Sequence, residues 1–296
     1  MHSGLVVVDK PAGWTSHDIV AKLRKVYGQK KVGHAGTLDP DATGVLLVGL
    51  GTVTRLLRFL QETDKEYRGT VVFGVATHTL DAAGEVLAEQ PMPVTREQVE
   101  AVVPQFLGDI EQVPPMVSAI KIGGRRLHEM ARAGEEVDRP PRPVHIERIV
   151  VEDFAPGEHP VATIHVECGS GTYIRSLAAD LGAALDGPAH LGSLRRLRVG
   201  AFTEADAVAL DAIETDPAAA LIDPAGAMRA LTPLVVDAAG AALVSHGSPL
   251  PDDLVPAAVV DRPGPFAVLD GDGRLLAVYE RRGSTIRPAV VLPTGA

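Results

Sequence analysis

A short loop between two apolar segments carries the residues best suited to chemistry. Residues 33–44 read Gly-His-Ala-Gly-Thr-Leu-Asp-Pro-Asp-Ala-Thr-Gly, which places one histidine and two carboxylates among small residues. Pro40 disfavours the helical backbone region for Asp39 and holds it extended, so that its carboxylate can point into a cleft. The competing interpretation is an Asx turn, in which Asp39 bonds its own backbone and His34 is a structural hydrogen-bonding residue.

The same loop does not fit the common ligand-binding motifs. It lacks the Gly-Lys-Ser/Thr ending that a phosphate-binding loop requires. His34 and Asp39 lack partner ligands at the spacing that zinc or calcium needs. Cys168 is the single cysteine, so neither an intrachain disulfide nor a multi-cysteine metal site can form. The loop therefore resembles neither a nucleotide-binding loop nor a metal site, and without further information the Asx turn is the favoured interpretation of Asp39.

The composition is that of a folded globular protein. Hydrophobic residues make up 46% and charged residues 22% of the 296-residue chain, proportions that exclude an intrinsically disordered protein. The apolar run at 5–8 is too short for a secretory signal, and no run reaches the roughly 18 apolar residues of a membrane-spanning helix. With a single cysteine, the sequence predicts a soluble cytoplasmic protein.

Net charge alone argues against a nucleic-acid ligand, but the charge is distributed unevenly. The chain carries a formal charge of −10, whereas phosphate binding requires lysine and arginine. Residues 201–296 hold 6 basic and 13 acidic residues, against 22 and 25 in residues 1–200. Two basic clusters are candidate phosphate contacts, and the alternative is a solvated surface of mixed charge. The clusters are Lys121, Arg125, Arg126, Arg132, Arg139, Arg142 and Arg148, and Arg195, Arg196 and Arg198.

Hydrophobic periodicity predicts the elements that position the loop. Strands are expected at 5–8, 45–48, 67–73 and 163–168; helices are expected from an N-cap at Ser16 to Gly28, at 52–60, at 95–105 and along the stripe Ile174, Leu177, Leu181 and Leu185. Strands and helices alternate irregularly, without a repeated βαβ unit. We therefore predict an α+β fold, a mixed sheet with flanking helices, in preference to a doubly wound parallel fold.

Two regions depart from this pattern. Residues 112–143 contain the pairs Pro114-Pro115, Gly123-Gly124 and Pro140-Pro141. Such pairs interrupt helices and strands, so they favour a mobile insertion at about 114–143. Beyond about residue 225, short apolar runs broken by Gly, Pro and Asp predict a small β-rich module. The expected organisation is one catalytic domain at 1–225 and an appended module at 226–296.

Seven segments between residues 9 and 196 match, in order, the motifs of one known family, and an ordered set is far more specific than any single motif. They are Asp9-Lys10-Pro11-Ala12-Gly13 with Ser16; Gly36-Thr37-Leu38-Asp39-Pro40 with Ala42-Thr43-Gly44; Lys65-Glu66-Tyr67; Gly74, Thr77, Thr79, Asp81 and Gly84; Gln112-Val113-Pro114 with Ser118, Ala119 and Lys121; Gly169-Ser170-Gly171-Thr172-Tyr173-Ile174-Arg175; and His190 with Leu194-Arg195-Arg196. With them, the chain resembles the TruB-type tRNA pseudouridine-55 synthases of bacteria.

The resemblance implies a fold and an activity. The fold would be that of the pseudouridine synthases, with a largely antiparallel central sheet and a C-terminal module similar to PUA domains. The activity would be isomerisation of a flipped-out T-loop uridine of tRNA to pseudouridine, by a monomer that needs no cofactor and no guide RNA. Its partner would be the T-stem-loop of tRNA, and the insertion at about 114–143 would grip that RNA.

The resemblance also implies a role for individual residues. Asp39 would be the catalytic carboxylate, which either attacks the ribose C1′ or assists cleavage through a glycal-like route. Arg175 would be its ion-pair partner, and Tyr67 would stack on the target base. The implied substrate-binding residues are Lys10, His34, Tyr67, Tyr173, Arg175 and Leu194, and the candidate phosphate contacts are Lys121, Arg125, Arg126, Arg195 and Arg196.

Each implied role competes with an ordinary structural one. Arg175 lies off the apolar stripe of its helix, which fits a surface arginine as well as a cleft-facing one. Tyr67 and Tyr173 fit core packing with one satisfied hydroxyl. Within the insertion, the Gly123-Gly124 pair would serve as a hinge. Base stacking by the insertion is not expected, because three positions where the family often has tyrosine hold Val117, His128 and Met130.

Three other functions remain as alternatives. A guide-RNA-dependent pseudouridine synthase is disfavoured because the chain lacks a long basic tail. A non-catalytic RNA chaperone would use the same cleft without converting the base. A glycosidase would need a second essential carboxylate and would release a free base or sugar.

Overall fold

The computed structural model describes residues 2–118, 121–122, 124–127, 130, 135, 137–250, 262–283 and 285–293. Contacts within the chain divide it into two compact units. The first unit comprises Met1–Pro40, Gly44–Gln61 and Val199–Ala296; the second comprises Asp41–Thr43 and Glu62–Arg198. The predicted domain boundary at residue 225 divides the chain by sequence position, whereas the first compact unit contains both ends of the chain. The boundary at residue 225 therefore stays a proposal.

The described residues form 17 strands, seven α-helices and three short 3-10 helices. The strands are β1 (Gly4–Lys10), β2 (Val32–Ala35), β3 (Thr43–Leu50), β4 (Lys65–Phe73), β5 (Val75–Thr77), β6 (Val86–Glu89), β7 (Gly108–Gln112), β8 (Lys121–Ile122), β9 (Arg125–Arg126), β10 (Arg142–Ala155), β11 (Val161–Cys168), β12 (Ala189–Val199), β13 (Phe202–Thr203), β14 (Thr232–Val235), β15 (Phe266–Leu269), β16 (Leu275–Arg282) and β17 (Thr285–Val291). The α-helices are α1 (Ser16–Val26), α2 (Leu57–Gln61), α3 (Arg96–Val102), α4 (Ile174–Ala183), α5 (Leu210–Thr215), α6 (Pro224–Ala227) and α7 (Ala238–Ser245), and the 3-10 helices are Gly51–Arg55, Val103–Phe106 and Glu204–Asp206.

In the first unit, β3 pairs antiparallel with both β1 and β2. The register with β1 runs from Gly4 opposite Leu50 to Lys10 opposite Gly44. The strand that ends at Lys10 therefore lies beside the residue where the loop carrying Asp39 enters β3. Both strands are almost continuously apolar and buried, as expected for strands covered on both faces.

Helix α1 starts one residue earlier than predicted, because its N-cap is Thr15 and not Ser16. The Thr15 hydroxyl accepts the Asp18 N–H at 3.0 Å, and the Asp18 carboxylate accepts the Thr15 N–H at 2.9 Å. This reciprocal capping box satisfies two otherwise unpaired donors. The side chain of Ser16 is consequently free of the capping role that the sequence assigned to it.

The C-terminal part of the first unit is β-rich, as predicted. Four strands are ordered β14-β15-β16-β17, with a parallel first pair and antiparallel pairs thereafter. Apolar residues of this sheet, such as Val278 and Val290, belong to one buried cluster with Leu5 and Leu47 of the N-terminal strands. The two ends of the chain therefore share a hydrophobic core.

In the second unit, the strand order is β12-β4-β11-β10-β7. The pairs β4–β11, β11–β10 and β10–β7 are antiparallel, and α4 packs against β4. The predicted α+β class, with a mixed and largely antiparallel sheet, is confirmed. The long strand β12 was not predicted, since its sequence, with three arginines among eleven residues, lacks clear apolar alternation.

The insertion at about 114–143 is described in part. Its first strands pair Lys121 with Arg126 and Ile122 with Arg125, and Gly124 has a φ of +86°, which glycine adopts without strain. Gly123, His128, Arg132 and Gly134 lie outside the described residues, so the hinge stays a prediction. In the described part of the chain, no helix has the length and apolar character needed to cross a membrane.

Candidate active site

A buried lysine holds together the loop that carries Asp39. Lys10 is fully buried, and its ammonium donates to the carbonyl oxygens of Pro11 at 2.9 Å, Trp14 at 2.6 Å and Pro40 at 2.8 Å. The Gly13 N–H also donates to the Pro40 oxygen at 3.0 Å. The turn after β1 and the residue that follows Asp39 are thus joined by one cation, whose charge strengthens each bond.

The residue before Asp39 is held by Ser16. The hydroxyl of Ser16 donates to the Leu38 carbonyl at 3.1 Å and accepts the Leu38 N–H at 2.9 Å. Ser16 and Leu38 are both buried, so these bonds are shielded from water. The backbone is therefore fixed on both sides of the half-buried Asp39.

His34 lies on β2, close to a second imidazole. Its ring centroid is 5.4 Å from that of His17, and the planes are inclined by 78°. His34 is half-buried and His17 is exposed. The two rings lie beside the start of the loop that carries Asp39. This arrangement fits a binding role and a structural role for His34 equally well.

The second unit contains a buried arginine with fixed partners. Arg175, the second residue of α4, is 5% exposed. Its Nη1 donates to the Thr79 carbonyl at 3.1 Å and lies 3.5 Å from Asp81 Oδ2, while Nη2 donates to the Val117 carbonyl at 2.8 Å. The alternative interpretation as a surface helix arginine was wrong, because the guanidinium points into the protein and its direction is set by three oxygen atoms.

Asp81 is the functional candidate that the sequence did not single out. Its Oδ1 accepts hydrogen bonds from the Thr79 hydroxyl and from the Ala83 N–H, and the Thr77 hydroxyl donates to its carbonyl at 2.7 Å. The carboxylate therefore presents its other oxygen to Arg175. The only available signal was the Thr77, Thr79, Asp81 and Gly84 spacing, which indicated a loop and no role.

The start of α4 is anchored to the start of the insertion. The side-chain amide of Gln112, which is buried, donates to the Tyr173 carbonyl at 3.0 Å and accepts the Tyr173 N–H at 2.7 Å. The next turn adds a bond from the Ser176 hydroxyl to the Val113 carbonyl at 2.8 Å. Since Arg175 holds Val117, three successive contacts tie residues 112–117 to the helix that positions this arginine.

Replacing Gln112 with alanine is expected to lower the free energy of unfolding by about 1–3 kcal/mol, because it removes both hydrogen bonds that this buried amide makes with the Tyr173 backbone. Hydrogen exchange at residues 173–177 should rise in the same variant. Gln112→Glu is the matched control, since it keeps the acceptor for the Tyr173 N–H and loses only the donor. Equal stability of Gln112→Ala and the parent chain would show that the amide does not anchor the helix.

Tyr67 and Leu194 lie on the same side of β4. Tyr67 is buried and lies on the same face of the strand as Gly69. A Cβ added at Gly69 would lie 3.3 Å from Leu194 Cδ1, which shows how closely Leu194 approaches this face. Tyr173 is half-buried. Leu194 therefore lies against the face of β4 that also carries Tyr67, while the roles of both residues toward a substrate stay predictions.

The candidate phosphate contacts differ in accessibility. Arg196 is 1% exposed, which prevents contact with an external phosphate in this conformation, whereas Arg195 is half-buried. Arg125 is exposed and forms two bonds with the Glu135 carboxylate, at 2.9 and 3.0 Å, so a phosphate would have to displace that acid. The side chains of Lys121 and Arg126 lie outside what the structure describes.

Lys65, at the start of β4, is a buried amine that titrates near neutral pH. It is 7% exposed, and burial, together with the nearby charge of Arg196, lowers its pKa from 10.5 to about 8. Between these two values the unfolded chain binds the proton and the folded chain releases it. The charged amine therefore destabilises the fold below pH 8, and this penalty disappears as the pH rises toward 10.5.

Raising the pH from 8 to 9 is expected to increase the free energy of unfolding by about 1 kcal/mol more in the parent chain than in Lys65→Met. Urea unfolding at both pH values measures this difference. The neighbouring Cys168, whose pKa burial raises to about 11, titrates in both proteins and cancels in the comparison. Parallel pH profiles for the two proteins would contradict the assignment.

Three family models match the chain in succession. The model described as TruB family pseudouridylate synthase (N terminal domain) matches residues 24–174. The model of the tRNA pseudouridylate synthase B C-terminal domain matches 175–234, and that of tRNA pseudouridine synthase II, C terminal, matches 232–293. Asp39 and Arg175 lie within these matches, whereas the first motif precedes residue 24.

Curated relatives align over most of their length. A Symbiobacterium thermophilum protein named tRNA pseudouridine synthase B is 49% identical over 245 residues, which cover 82% of each chain. Proteins of the same name from Rhodococcus jostii and Thermobifida fusca are 45% and 42% identical over 98% of this chain, and cover 95% and 99% of their own lengths. The similarity therefore includes the N-terminal motif and the C-terminal sheet.

Solved structures share the fold. The crystal structure of a Cbf5-Nop10-Gar1 complex contains a chain that is 26% identical, with a TM-score of 0.74 over 98% of this chain and 85% of that one. A structure of an H/ACA RNP bound to a substrate RNA gives a TM-score of 0.73 at 24% identity. The second likeness concerns the fold alone.

Proposed function

The chain belongs to the TruB family of pseudouridylate synthases, and from this we propose that it isomerises uridine 55 in the T-loop of tRNA, with Asp39 as the catalytic carboxylate. Uridine isomerisation to pseudouridine is the family's reaction. The position in the RNA and the acting residue are the proposal. Its most direct support is that hydrogen bonds hold the backbone on both sides of Asp39: Ser16 donates to the Leu38 carbonyl and Lys10 donates to the Pro40 carbonyl.

The reaction suits a fixed carboxylate. The C1′–N1 glycosidic bond breaks, the uracil turns, and a C1′–C5 bond forms; C5 loses a proton and N1 gains one. Substrate and product are isomers, so no oxidant, reductant or group donor is consumed. Asp39 either forms a bond to C1′ or assists a glycal-like route, and both routes require an ionised carboxylate set close to the ribose.

Arg175 is proposed as the ion-pair partner that keeps Asp39 ionised. An arginine stays charged under all physiological conditions and suits a carboxylate geometrically. Its bonds to Thr79 and Val117, together with Asp81, hold the guanidinium in one orientation before any substrate binds. Such preorganisation lowers the cost of stabilising charge during the reaction.

The proposed substrate is tRNA, bound without a guide RNA. Relatives named tRNA pseudouridine synthase B align over nearly the whole chain at up to 49% identity, whereas the Cbf5 chain, solved in a complex with Nop10 and Gar1, is 26% identical. We propose a cytoplasmic monomer that extrudes the target uridine and uses Lys10, His34, Tyr67, Tyr173 and Leu194 to shape its pocket. Lys121, Arg125, Arg126 and Arg195 are the proposed phosphate contacts.

Mapping pseudouridine after incubation of an unmodified tRNA transcript with the purified chain tests the proposal. No metal or nucleotide is added. We expect one new pseudouridine, at the T-loop uridine, and none in a matched transcript with cytidine at that position. Release of free uracil would instead indicate a glycosidase, and binding without conversion would indicate an RNA chaperone; either result would overturn the proposed function.

A further inference from the structure

Trp14 is the most exposed of the phenylalanine, tyrosine and tryptophan side chains. The sequence holds six phenylalanines, four tyrosines and one tryptophan, all of which lie in described segments. The other ten are buried or half-buried, whereas Trp14 is 37% exposed. An indole combines a large apolar face with a polar N–H, which suits an exposed tryptophan to a binding surface.

The backbone displays this indole on a rigid turn. The Trp14 carbonyl accepts the Lys10 ammonium at 2.6 Å, and the next residue, Thr15, is fixed by the capping box of α1. Residue 14 is therefore anchored on both sides, like the catalytic loop beside it. A side chain presented in this way loses little conformational freedom when it binds a ligand.

The same lysine joins Trp14 to the loop of the proposed catalytic residue. Lys10 donates at once to the carbonyls of Trp14 and Pro40, and the Gly13 N–H shares the Pro40 oxygen. The backbones next to the indole and next to Asp39 thus belong to one hydrogen-bonded cluster.

The segment that follows Trp14 carries cations of the kind that an RNA ligand requires. In a chain of net charge −10, residues 19–38 include five basic and no acidic side chains. Lys25, Lys30 and Lys31, at and beyond the C-terminal end of α1, are exposed. Single-stranded and looped RNA is bound by such cations on its phosphates and by aromatic rings on its bases.

We propose that Trp14 stacks on a nucleobase of the RNA substrate adjacent to the extruded uridine, and so acts as a binding residue of the active-site rim. The inference rests on the proposed function, because it takes the ligand of the Asp39 loop to be RNA. Extruding a base exposes the faces of its neighbours in the loop, and an indole fixed beside the catalytic loop covers one of them. This contact stabilises the bound, opened RNA and takes no part in the bond changes.

Tryptophan emission tests the contact directly, since Trp14 supplies the entire tryptophan signal of the full-length chain. We expect saturating unmodified tRNA transcript to quench or shift that emission, after correction with free N-acetyltryptophanamide for absorption by the RNA. A signal that is unchanged at saturating tRNA would overturn the proposal.

Variants separate stacking from simple packing. Trp14→Leu is expected to raise both Kd and KM for the transcript about tenfold, the effect of losing one base–aromatic stack, while the single-turnover rate at saturating enzyme changes much less. Trp14→Phe should recover most of the affinity. Leu243→Ala, which removes an exposed apolar side chain from α7, is the matched control and should bind like the parent chain.

The outcomes distinguish this inference from the proposed function. If the parent chain forms pseudouridine but Trp14→Leu and Trp14→Phe both bind tRNA as it does, stacking by Trp14 is refuted and the function stands. If the parent chain forms no pseudouridine, the function fails, whatever the emission shows. Equal loss of affinity in the leucine and phenylalanine variants would show that the indole packs in the protein and does not stack on a base.

Discussion

Replacing Asp39 with asparagine is expected to reduce pseudouridine formation by about 10⁴-fold or more, as found when a residue that enters the chemical step is removed. Asparagine has nearly the same shape but cannot carry the negative charge that either route requires. Four hydrogen bonds of Ser16, Lys10 and Gly13 with Leu38 and Pro40 hold the backbone on both sides of Asp39. The fold and the affinity for tRNA should therefore be retained.

Asp41 provides the matched control within the same loop. It is exposed and has no proposed role, so Asp41→Asn should form pseudouridine at close to the parent rate. Single-turnover conversion of a tRNA transcript, with Kd measured in parallel, compares the two variants. Substantial activity in Asp39→Asn would remove Asp39 from the reaction, and loss of tRNA binding in that variant would assign it to recognition instead.

Replacing Lys10 with methionine is expected to lower the free energy of unfolding by about 2–5 kcal/mol, since it removes the three charge-assisted hydrogen bonds of a fully buried ammonium. Methionine fills a similar volume, so the loss reports the hydrogen bonds more than the packing. Activity should fall as well, because Pro40 would be released on one side of Asp39. Urea unfolding, followed by single-turnover kinetics under conditions where the variant is folded, measures the two effects separately.

A surface cation supplies the comparison for Lys10. Arg58 pairs with Glu280 at 3.0 Å, and about half of its side chain is exposed, so Arg58→Met should change stability by about 1 kcal/mol or less. Similar losses in the two variants would mean that the three carbonyl bonds of Lys10 contribute no more than an exposed ion pair. In that case another contact must fix the loop.

Local sequence rules accounted for several elements correctly. The apolar runs at 5–8 and 45–48 lie within β1 and β3, and the helical spacing after residue 16 matches α1. The errors at element ends have local causes too. The Thr15–Asp18 capping box moved the N-cap by one residue, and the helix expected at 52–60 begins as the 3-10 helix Gly51–Arg55.

The sequence missed features that depend on distant partners. The position of Asp81 beside Arg175 and the burial of Arg175 depend on distant contacts. One of them is the hydrogen bond from the guanidinium to the Thr79 carbonyl, 96 residues away in the chain. Arg196 looks like a surface residue in the motif Leu194-Arg195-Arg196, yet it is among the largest fully buried side chains. No local pattern distinguished Trp14, whose exposure became visible only in the fold.

By itself, the sequence determined the family, the reaction and the candidate carboxylate, because ordered motifs and the effect of Pro40 on Asp39 depend on residues that are adjacent in the chain. Only the tertiary structure decided what holds the backbone on both sides of that residue and which charged side chains are buried. Lys10 reaches Pro40 across 30 residues and Gln112 reaches Tyr173 across 61. Such contacts follow from strand pairing and burial, whose free energies are summed over the whole fold and leave no local pattern in the sequence.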